Sequence, residues 1–164
     1  MQVKVENRDG VALIQFDDGK KNAITPGAAA QIFSGLEEAE ANADAIVIAG
    51  RPGSFCAGFE LATMTSGDQE AIGELSLAGA KILLKLYGTG KPLVAACTGH
   101  AFTIGALWLL ACDTRIGEEG KYKFAMVAVS YTHLRAHETP EHRGCRLGVV
   151  KKKGGGGGGG GGGG

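Results

Sequence analysis

The amino-acid sequence predicts an α/β fold in which short buried strands alternate with helices. Residues 45–49 and 93–96 form apolar runs that are too short for helices, as expected of strands in a parallel sheet covered on both faces. Apolar residues recur at helical spacing over residues 26–44 and 68–87. This repeated strand-then-helix order is typical of an α/β domain.

The N-terminal segment is expected to form an antiparallel hairpin followed by the first helix. Residues 3–6 and 11–16 are strand-like, and the residues between them, Asn-Arg-Asp-Gly, favour a tight turn. Thr25 suits a helix N-cap and Pro26 the first helical position, so a helix is predicted to begin there and to end near Asp44. Its apolar face is predicted to contain Ala29, Ile32, Phe33, Leu36 and Ala39.

Glycine and proline mark the boundaries of the later elements. Residues 50–53 are predicted to form a turn, and residues 55–61 are interpreted as a loop. The helix that follows is stopped by Gly88 and Gly90. The remaining strands are predicted at residues 93–96, 114–117 and 122–125.

The stretch from residue 97 to residue 113 carries the main functional indication. After Gly99 and the segment 103–105, an apolar run without charge continues to Asp113, which predicts a helix buried on every face. The first NH groups of a helix lack partners within it and lie at the positive end of the macrodipole. Because Gly105 allows a backbone or a ligand to approach closely, the start of this helix is a candidate site for a partly negative oxygen.

Composition limits the class of protein. The chain has 164 residues with 17 basic and 17 acidic side chains, of which 11 and 15 lie in the first 128 residues. This mildly acidic part gives no indication of nucleic-acid binding, and its length fits one domain with a sizeable core. Cys56, Cys97 and Cys112 are interpreted as buried free thiols, rather than disulfide or metal ligands. Because no apolar run reaches membrane-spanning length, a cytoplasmic protein without membrane contact is expected.

The tail from residue 129 to residue 164 is predicted not to belong to the folded domain. It lacks hydrophobic periodicity and ends in three lysines followed by glycine alone. Residues 129–139 resemble the conceptual translation of a sequencing-library adapter, and the glycine run resembles a translated run of G bases. The tail is therefore interpreted as an artefact joined to a truncated gene. A natural linker rich in histidine and arginine is the alternative.

Three segments together resemble the crotonase superfamily, also called the enoyl-CoA hydratase/isomerase family. They are residues 22–24, residues 54–61 and residues 91–101 continuing to Asp113. Their order and spacing carry the resemblance, which covers residues 1–127, the first half of such a protein. The resemblance implies a truncated crotonase-like fold, a spiral of ββα units, over residues 1–128.

The resemblance also implies a chemistry. Crotonases bind acyl-CoA thioesters and stabilise an enolate-like thioester oxygen between two backbone NH groups, which match Phe59 and Ile104 here. Lys20 or Lys21 would meet the CoA phosphates or, alternatively, remain solvated loop charges. No cofactor or metal is implied, because the CoA thioester is the substrate, and the full-length parent would be a homo-oligomer, a trimer or hexamer. The residues implied to contact the substrate are Ala23, Ala57, Gly58, Leu61 and Gly105.

The sequence departs from the family pattern at the acid–base positions. Hydratases have a glutamate in the first turns of the buried helix, and the matching residue here is Leu107, which cannot transfer a proton. The second family glutamate matches Ala128, next to the adapter-like tail, where an acidic native residue is a hypothesis. Glu60 stands where the family usually has aspartate and is assigned a structural hydrogen-bonding role.

Other residues are given structural interpretations. His100 is interpreted as a histidine satisfied by backbone groups, because no carboxylate or serine is spaced to work with it. Trp108 is expected to fill the core. Residues 50–53 lack the Gly-Lys-Ser/Thr of a nucleotide P-loop. A Clp-type serine protease shares the general architecture, but no serine lies at the start of the buried helix.

Two functions follow from the sequence. The first is an acyl-CoA enzyme of the hydratase/isomerase group. The second is an acyl-CoA-binding homologue without hydratase activity, which Leu107 suggests. For this chain alone the first function predicts poor activity, because the missing half would supply helices that close the site and subunit contacts.

Overall fold

The structure, a computed structural model, describes residues 2–126. The predictions made for Ala128 and for residues 129–164 lie outside the described residues. In chain order the strands are β1 (Gln2–Arg8), β2 (Val11–Asp17), β3 (Ala23–Ile24), β4 (Ala45–Ala49), β5 (Gly53–Cys56), β6 (Gly58–Phe59), β7 (Leu93–Cys97), β8 (Gly99–Phe102), β9 (Thr114–Gly117) and β10 (Phe124–Ala125). The helices are α1 (Pro26–Asn42), α2 (Leu61–Met64), α3 (Gln69–Gly88) and α4 (Ile104–Ala111).

A five-stranded sheet in the order β1-β2-β4-β7-β9 is the largest sheet of the described chain. β1 and β2 pair antiparallel around a turn at Asp9 and Gly10, both of which have positive φ. The strands β2, β4, β7 and β9 run parallel. The predicted hairpin and the predicted buried parallel strands are therefore confirmed.

Both long helices begin at a side-chain cap, and the cap of the first helix is the predicted one. The Thr25 hydroxyl accepts the NH of Ala28 at 3.1 Å at the start of α1, and Asp68 caps α3. α1 packs against β1 and β2, while α3 packs against α1 and α4. An ion pair between Glu40 and Lys85 joins the two long helices, and the Lys85 hydrogen bond lowers the pKa of Glu40.

The core lies between the sheet and the helices. Trp108 is 1% exposed and meets Phe16 edge-on, with ring centroids 6.2 Å apart, so the predicted core position is confirmed. The predicted apolar face of α1 is buried except at Phe33, which is half-buried. Within residues 2–126, every helix is too short or too polar to cross a lipid bilayer.

The segment interpreted as a loop and the segment after Gly99, for which no strand was predicted, form short strands instead. Residues 55–61 include parts of β5 and β6, and the turn at Gly99 leads directly into β8. β8 pairs in parallel with β5 and β10, and β6 pairs in parallel with β3. The loop interpretation was wrong because strands this short show no alternation and their partners are distant in sequence.

The helix α4 is not buried on every face, contrary to the prediction. Its buried side contains Ile104, Gly105, Trp108 and Leu109, whereas Leu110 is 52% exposed. The run is apolar throughout and therefore has no periodicity that could indicate which side faces outward.

The three cysteines of the described chain are buried and free, as predicted. Burial raises the thiol pKa to about 12 for Cys56 and Cys112 and to about 11 for Cys97. The thiols therefore stay protonated at neutral pH and act as small apolar core residues.

Asn22 is a fully buried polar residue that ties several segments together. Its φ of 58° is a conformation that asparagine tolerates better than most residues. Its amide nitrogen donates to the carbonyl oxygens of Phe16, Ser54 and Phe55 at 2.9, 3.3 and 3.2 Å. Its amide oxygen accepts the NH of Asp18 at 2.9 Å. The end of β2, the following turn and β5 are thereby fixed relative to one another.

We expect Asn22→Ala to lower the free energy of unfolding by about 2–4 kcal/mol, because buried backbone groups lose their partner. Urea unfolding would measure this loss. Asn22→Gly, which suits the positive φ but lacks the amide, should be destabilised nearly as much. The control Asn42→Ala, at the exposed end of α1, should change stability by about 0.5 kcal/mol or less. Equal effects at positions 22 and 42 would contradict the role of Asn22.

Candidate active site

The start of α4 packs closely against the segment that contains β5 and β6. A Cβ atom added to Gly105 would lie 2.5 Å from the Cβ of Cys56. One added to Gly58 would lie 3.3 Å from the Cβ of Thr103. The close approach expected at Gly105 is therefore present, and the neighbour that makes it is the end of β5.

The peptide NH of Phe59 points away from β3. Ile24 and Phe59 are paired in register, and the NH of Glu60 donates to the carbonyl of Ile24 at 2.9 Å. Successive NH groups of a strand point to opposite edges. The Phe59 NH therefore lies on the other edge of β6.

Ile104 is the first residue of α4, so its NH has no acceptor within the helix. The residue before it, Thr103, provides no side-chain cap and has a φ of 51° and a ψ of −114°. This conformation is strained for a β-branched residue, and it turns the chain sharply from β8 into α4. The macrodipole adds partial positive charge at this end of the helix.

The side chains of Phe59 and Ile104 converge on one point of α3. A Cβ added to Gly79 would lie 2.6 Å from the ring atoms Cε1 and Cζ of Phe59 and 3.4 Å from Cγ1 of Ile104. The structure therefore brings together the two residues that the resemblance matches to hydrogen-bond donors. Their role as donors remains a prediction.

A cleft of about 540 Å³ opens beside these segments. Ala57 and Phe102, which directly precede the contact between β6 and α4, belong to its wall. Lys20, Lys21 and Lys123 also line the cleft, and none of the described residues that line it is a carboxylate. The cleft is therefore suited to an anionic ligand such as a phosphate group.

Lys20 and Lys21 lie on a turn that is held by hydrogen bonds. Asp18 accepts the NH of Lys20 at 2.7 Å, and the Ser54 hydroxyl donates to the carbonyl of Lys21 at 2.7 Å. Burial acts to raise the pKa of Asp18, but backbone NH donors and the charge of Arg51 outweigh it, so that the pKa is lowered. The carboxylate stays ionised at neutral pH and continues to accept these bonds.

His100 is held by a backbone group, as the sequence analysis expected. Its Nδ1 accepts the NH of Lys123 at 3.0 Å, which leaves the ring proton on Nε2. The ring stacks on Phe102, with centroids 5.8 Å apart, and meets Tyr122 edge-on at 5.5 Å. Nothing in the sequence indicated Phe102 or Lys123, because Phe102 is placed at the cleft by the pairing of β8 with β5 and Lys123 by the pairing of β10 with β8.

The other residues implied to contact substrate are spread more widely. Ala57 lines the cleft, while Gly58 and Gly105 are buried where β5 and β6 meet α4. Ala23 is half-buried in β3, and Leu61 at the start of α2 is 60% exposed. Among the described residues, Ala23 and Leu61 are not part of the cleft wall.

The structure describes Glu60 and one of the two acid–base positions of the family, Leu107. Glu60 follows Phe59 and accepts the hydroxyl of Thr63 at 2.8 Å, which fits a structural hydrogen-bonding role. Leu107 packs against the core, and the first turn of α4 contains no acidic residue. Within residues 2–126, no cluster of three or more His, Cys, Asp or Glu side chains could hold a metal ion.

Solved structures with a similar fold are known. The structure of an enoyl-CoA hydratase/isomerase family protein from Pseudomonas syringae has a TM-score of 0.70 and 33% identity, over 73% of this chain and 52% of that chain. An enoyl-CoA hydratase from Mycobacterium ulcerans has a TM-score of 0.67 and 34% identity, over 70% and 50% of the two chains. These likenesses confirm the predicted crotonase-like α/β fold.

Related sequences support the same grouping. A putative enoyl-CoA hydratase from Thermus thermophilus is 30% identical over 135 residues, which cover 79% of this chain and 53% of the relative. Mitochondrial enoyl-CoA delta isomerase 1 from Rattus norvegicus is 27% identical over 128 residues, which cover 76% and 44%. The chain thus spans about half the length of these relatives. Because the family model described as enoyl-CoA hydratase/isomerase matches residues 6–130, the chain belongs to the enoyl-CoA hydratase/isomerase family.

Proposed function

We propose that this chain binds an acyl-CoA thioester and that the peptide NH groups of Phe59 and Ile104 donate hydrogen bonds to the thioester oxygen. The observation that carries the proposal is the meeting of these two residues at Gly79. One NH lies on the edge of β6 that faces away from β3, and the other lies in the first turn of α4. Both belong to segments that directly follow residues of the cleft wall.

The proposed chemistry is stabilisation of an enolate. In hydration, water adds to the β-carbon of an enoyl thioester and the electron pair of the C=C bond shifts toward the carbonyl oxygen, which gains negative charge. In isomerisation the same charge develops when a base takes the proton from the carbon next to the carbonyl. A fixed NH donor at such an oxygen contributes about 3 kcal/mol of transition-state stabilisation. Because backbone atoms donate, the side chains of Phe59 and Ile104 can be apolar and can exclude water from the site.

The cationic cleft fits the CoA end of the substrate. Lys20, Lys21 and Lys123 would face its phosphate groups, while Ala57 and Phe102 provide apolar wall next to the thioester position. The turn that carries Lys20 and Lys21 is already formed, so little ordering is needed on binding. The proposal includes the cytoplasmic location expected from the sequence and the homo-oligomeric parent protein that the resemblance implies.

An alternative function is acyl-CoA binding without hydration. Leu107 favours it, because hydratases of the family have a glutamate at the matching position and leucine cannot transfer a proton.

Crotonyl-CoA distinguishes the two functions. We expect the chain to bind crotonyl-CoA in a calorimetric titration and to turn it over slowly, because the chain spans about half the length of its relatives. Turnover to the hydrated product supports an enzyme. In the full-length gene product, binding without turnover supports the alternative. A complete absence of binding contradicts both functions.

Deleting one NH at a time tests the proposed donors. The α-hydroxy-acid analogue of phenylalanine at position 59, or of isoleucine at position 104, replaces the NH by oxygen and keeps the side chain. Affinity would be measured for an acyl-CoA thioester and for a thioether analogue that lacks the carbonyl. Each deletion should reduce the preference for the thioester by about fivefold, which corresponds to one hydrogen bond of about 1 kcal/mol.

The matched control for these deletions is the α-hydroxy-acid analogue of glutamine at position 69. Gln69 is the first residue of α3 and is exposed, so its NH is also in the first turn of a helix. This control should leave the thioester preference unchanged. An unchanged preference in the variants at 59 and 104 would contradict the donor assignment.

Removing one positive charge from the cleft should weaken CoA binding. We expect Lys20→Ala, Lys21→Ala and Lys123→Ala each to raise the Kd for CoA by roughly threefold at low ionic strength, with a smaller effect at high salt. Calorimetry with CoA and dephospho-CoA would show which phosphate is involved. Lys81→Ala, on α3 and outside this cleft, is the control. An equal effect at Lys81 would contradict phosphate binding in the cleft.

A further inference from the structure

Gly79 lies in α3 at the point where the side chains of Phe59 and Ile104 meet. A Cβ at this position would lie 2.6 Å from two ring atoms of Phe59, which is closer than real Cβ atoms approach such neighbours, and 3.4 Å from Cγ1 of Ile104. The ring of Phe59 therefore fills the space that any other residue at position 79 would occupy. Gly79 is buried, so the contact is not open to solvent on the glycine side.

Gly79 differs from Gly73, another glycine inside α3, in what surrounds it. Glycine inside a helix costs about 1 kcal/mol relative to alanine. The same helix contains Gly73, which is exposed and has no atom within 4 Å of an added Cβ. At Gly73 alanine would be accommodated, whereas at Gly79 it would collide with the ring of Phe59. The two glycines lie in the same helix, but only Gly79 has a neighbouring side chain in the place of its missing Cβ.

We infer that Gly79 is a positioning residue that sets the direction of the Phe59 peptide NH through the phenyl ring. The inference rests on the proposed function, in which that NH donates to the thioester oxygen. β6 is only two residues long, and in the described chain it pairs with β3 alone. The packing of the ring against Gly79 restrains Phe59 from the helix side. Ile104 lies against the same glycine, so Gly79 borders both proposed donor residues.

The direction of the NH matters because hydrogen bonds are directional. Their strength falls steeply once the angle at the hydrogen drops below about 120°. A methyl group at position 79 has to displace the ring of Phe59, and under the inference the displaced ring turns the backbone of the short strand with it. The side chain at 79 would therefore influence the bound thioester without touching it.

The test uses para-dimethylaminocinnamoyl-CoA, a push–pull chromophore whose absorption band moves to longer wavelength when its thioester oxygen accepts hydrogen bonds. We expect the unmodified chain to shift the band of the bound ligand and Gly79→Ala to lose about half of that shift or more, given the angular dependence of the bond. Gly73→Ala, the matched control in α3, should retain the full shift. The double variant Gly79→Ala/Phe59→Leu, which shortens the side chain but keeps the peptide NH, should recover most of it.

Each outcome has a definite meaning. No shift with the unmodified chain contradicts the proposed function and the role of Gly79 with it. A full shift with Gly79→Ala shows that the ring turns aside without moving the backbone, and overturns the role of Gly79 alone. If Gly79→Ala does not fold, Phe59→Ala tests the same contact by removing the ring without adding an atom to α3. A full shift in Phe59→Ala would overturn the inference, and a reduced shift would support it.

Discussion

The proposed site depends on the close packing of three segments at positions occupied by glycine. Gly105 admits Cys56 at the end of β5, Gly58 lies against Thr103, and Gly79 admits the ring of Phe59. A Cβ at 105 or 79 would lie well under 3 Å from a neighbouring side-chain atom, so the present packing requires that no side chain is there. β6, α4 and α3 can thus approach one another closely because glycine has no side chain at the points of contact.

A second set of contacts connects this packing to the cationic cleft. Asn22 holds the end of β2 and the carbonyl groups of β5, while Ser54 holds the turn that carries Lys21. The segment that leads into Phe59 and the turn that carries the lysines are therefore held by one network of hydrogen bonds. Because buried polar groups cost free energy when they lose their partners, the two ends of the proposed ligand site are fixed relative to each other by the same residues.

Local signals in the sequence predicted the parts of the fold that are locally determined. The cap at Thr25, the hairpin around Gly10 and the apolar runs of β4 and β7 each have a short-range signature. The strands β5, β6 and β8 were missed because they are short and pair with distant segments. The exposed side of α4 was missed because its sequence is uniformly apolar.

Some parts of the candidate site could also be predicted from local sequence, and others could not. The unpaired NH groups and the macrodipole indicated the start of α4 as a candidate site. Phe59 was identified only through the family resemblance, because any residue type can donate a backbone NH. Lys123 and Gly79 were found only in the structure, because each reaches the site through packing between elements distant in sequence. A sequence therefore shows which residue types are present, but not which backbone NH groups or distant residues meet at one site.

The most direct measurement is the isotope-edited infrared difference spectrum of an acyl-CoA labelled at its thioester carbonyl and bound to the chain. Two NH groups directed at the oxygen should weaken the C=O bond, so the stretching frequency of the bound thioester is predicted to lie below that of the same thioester in water. A frequency equal to or above the value in water would contradict the convergence of the two NH groups on the thioester oxygen.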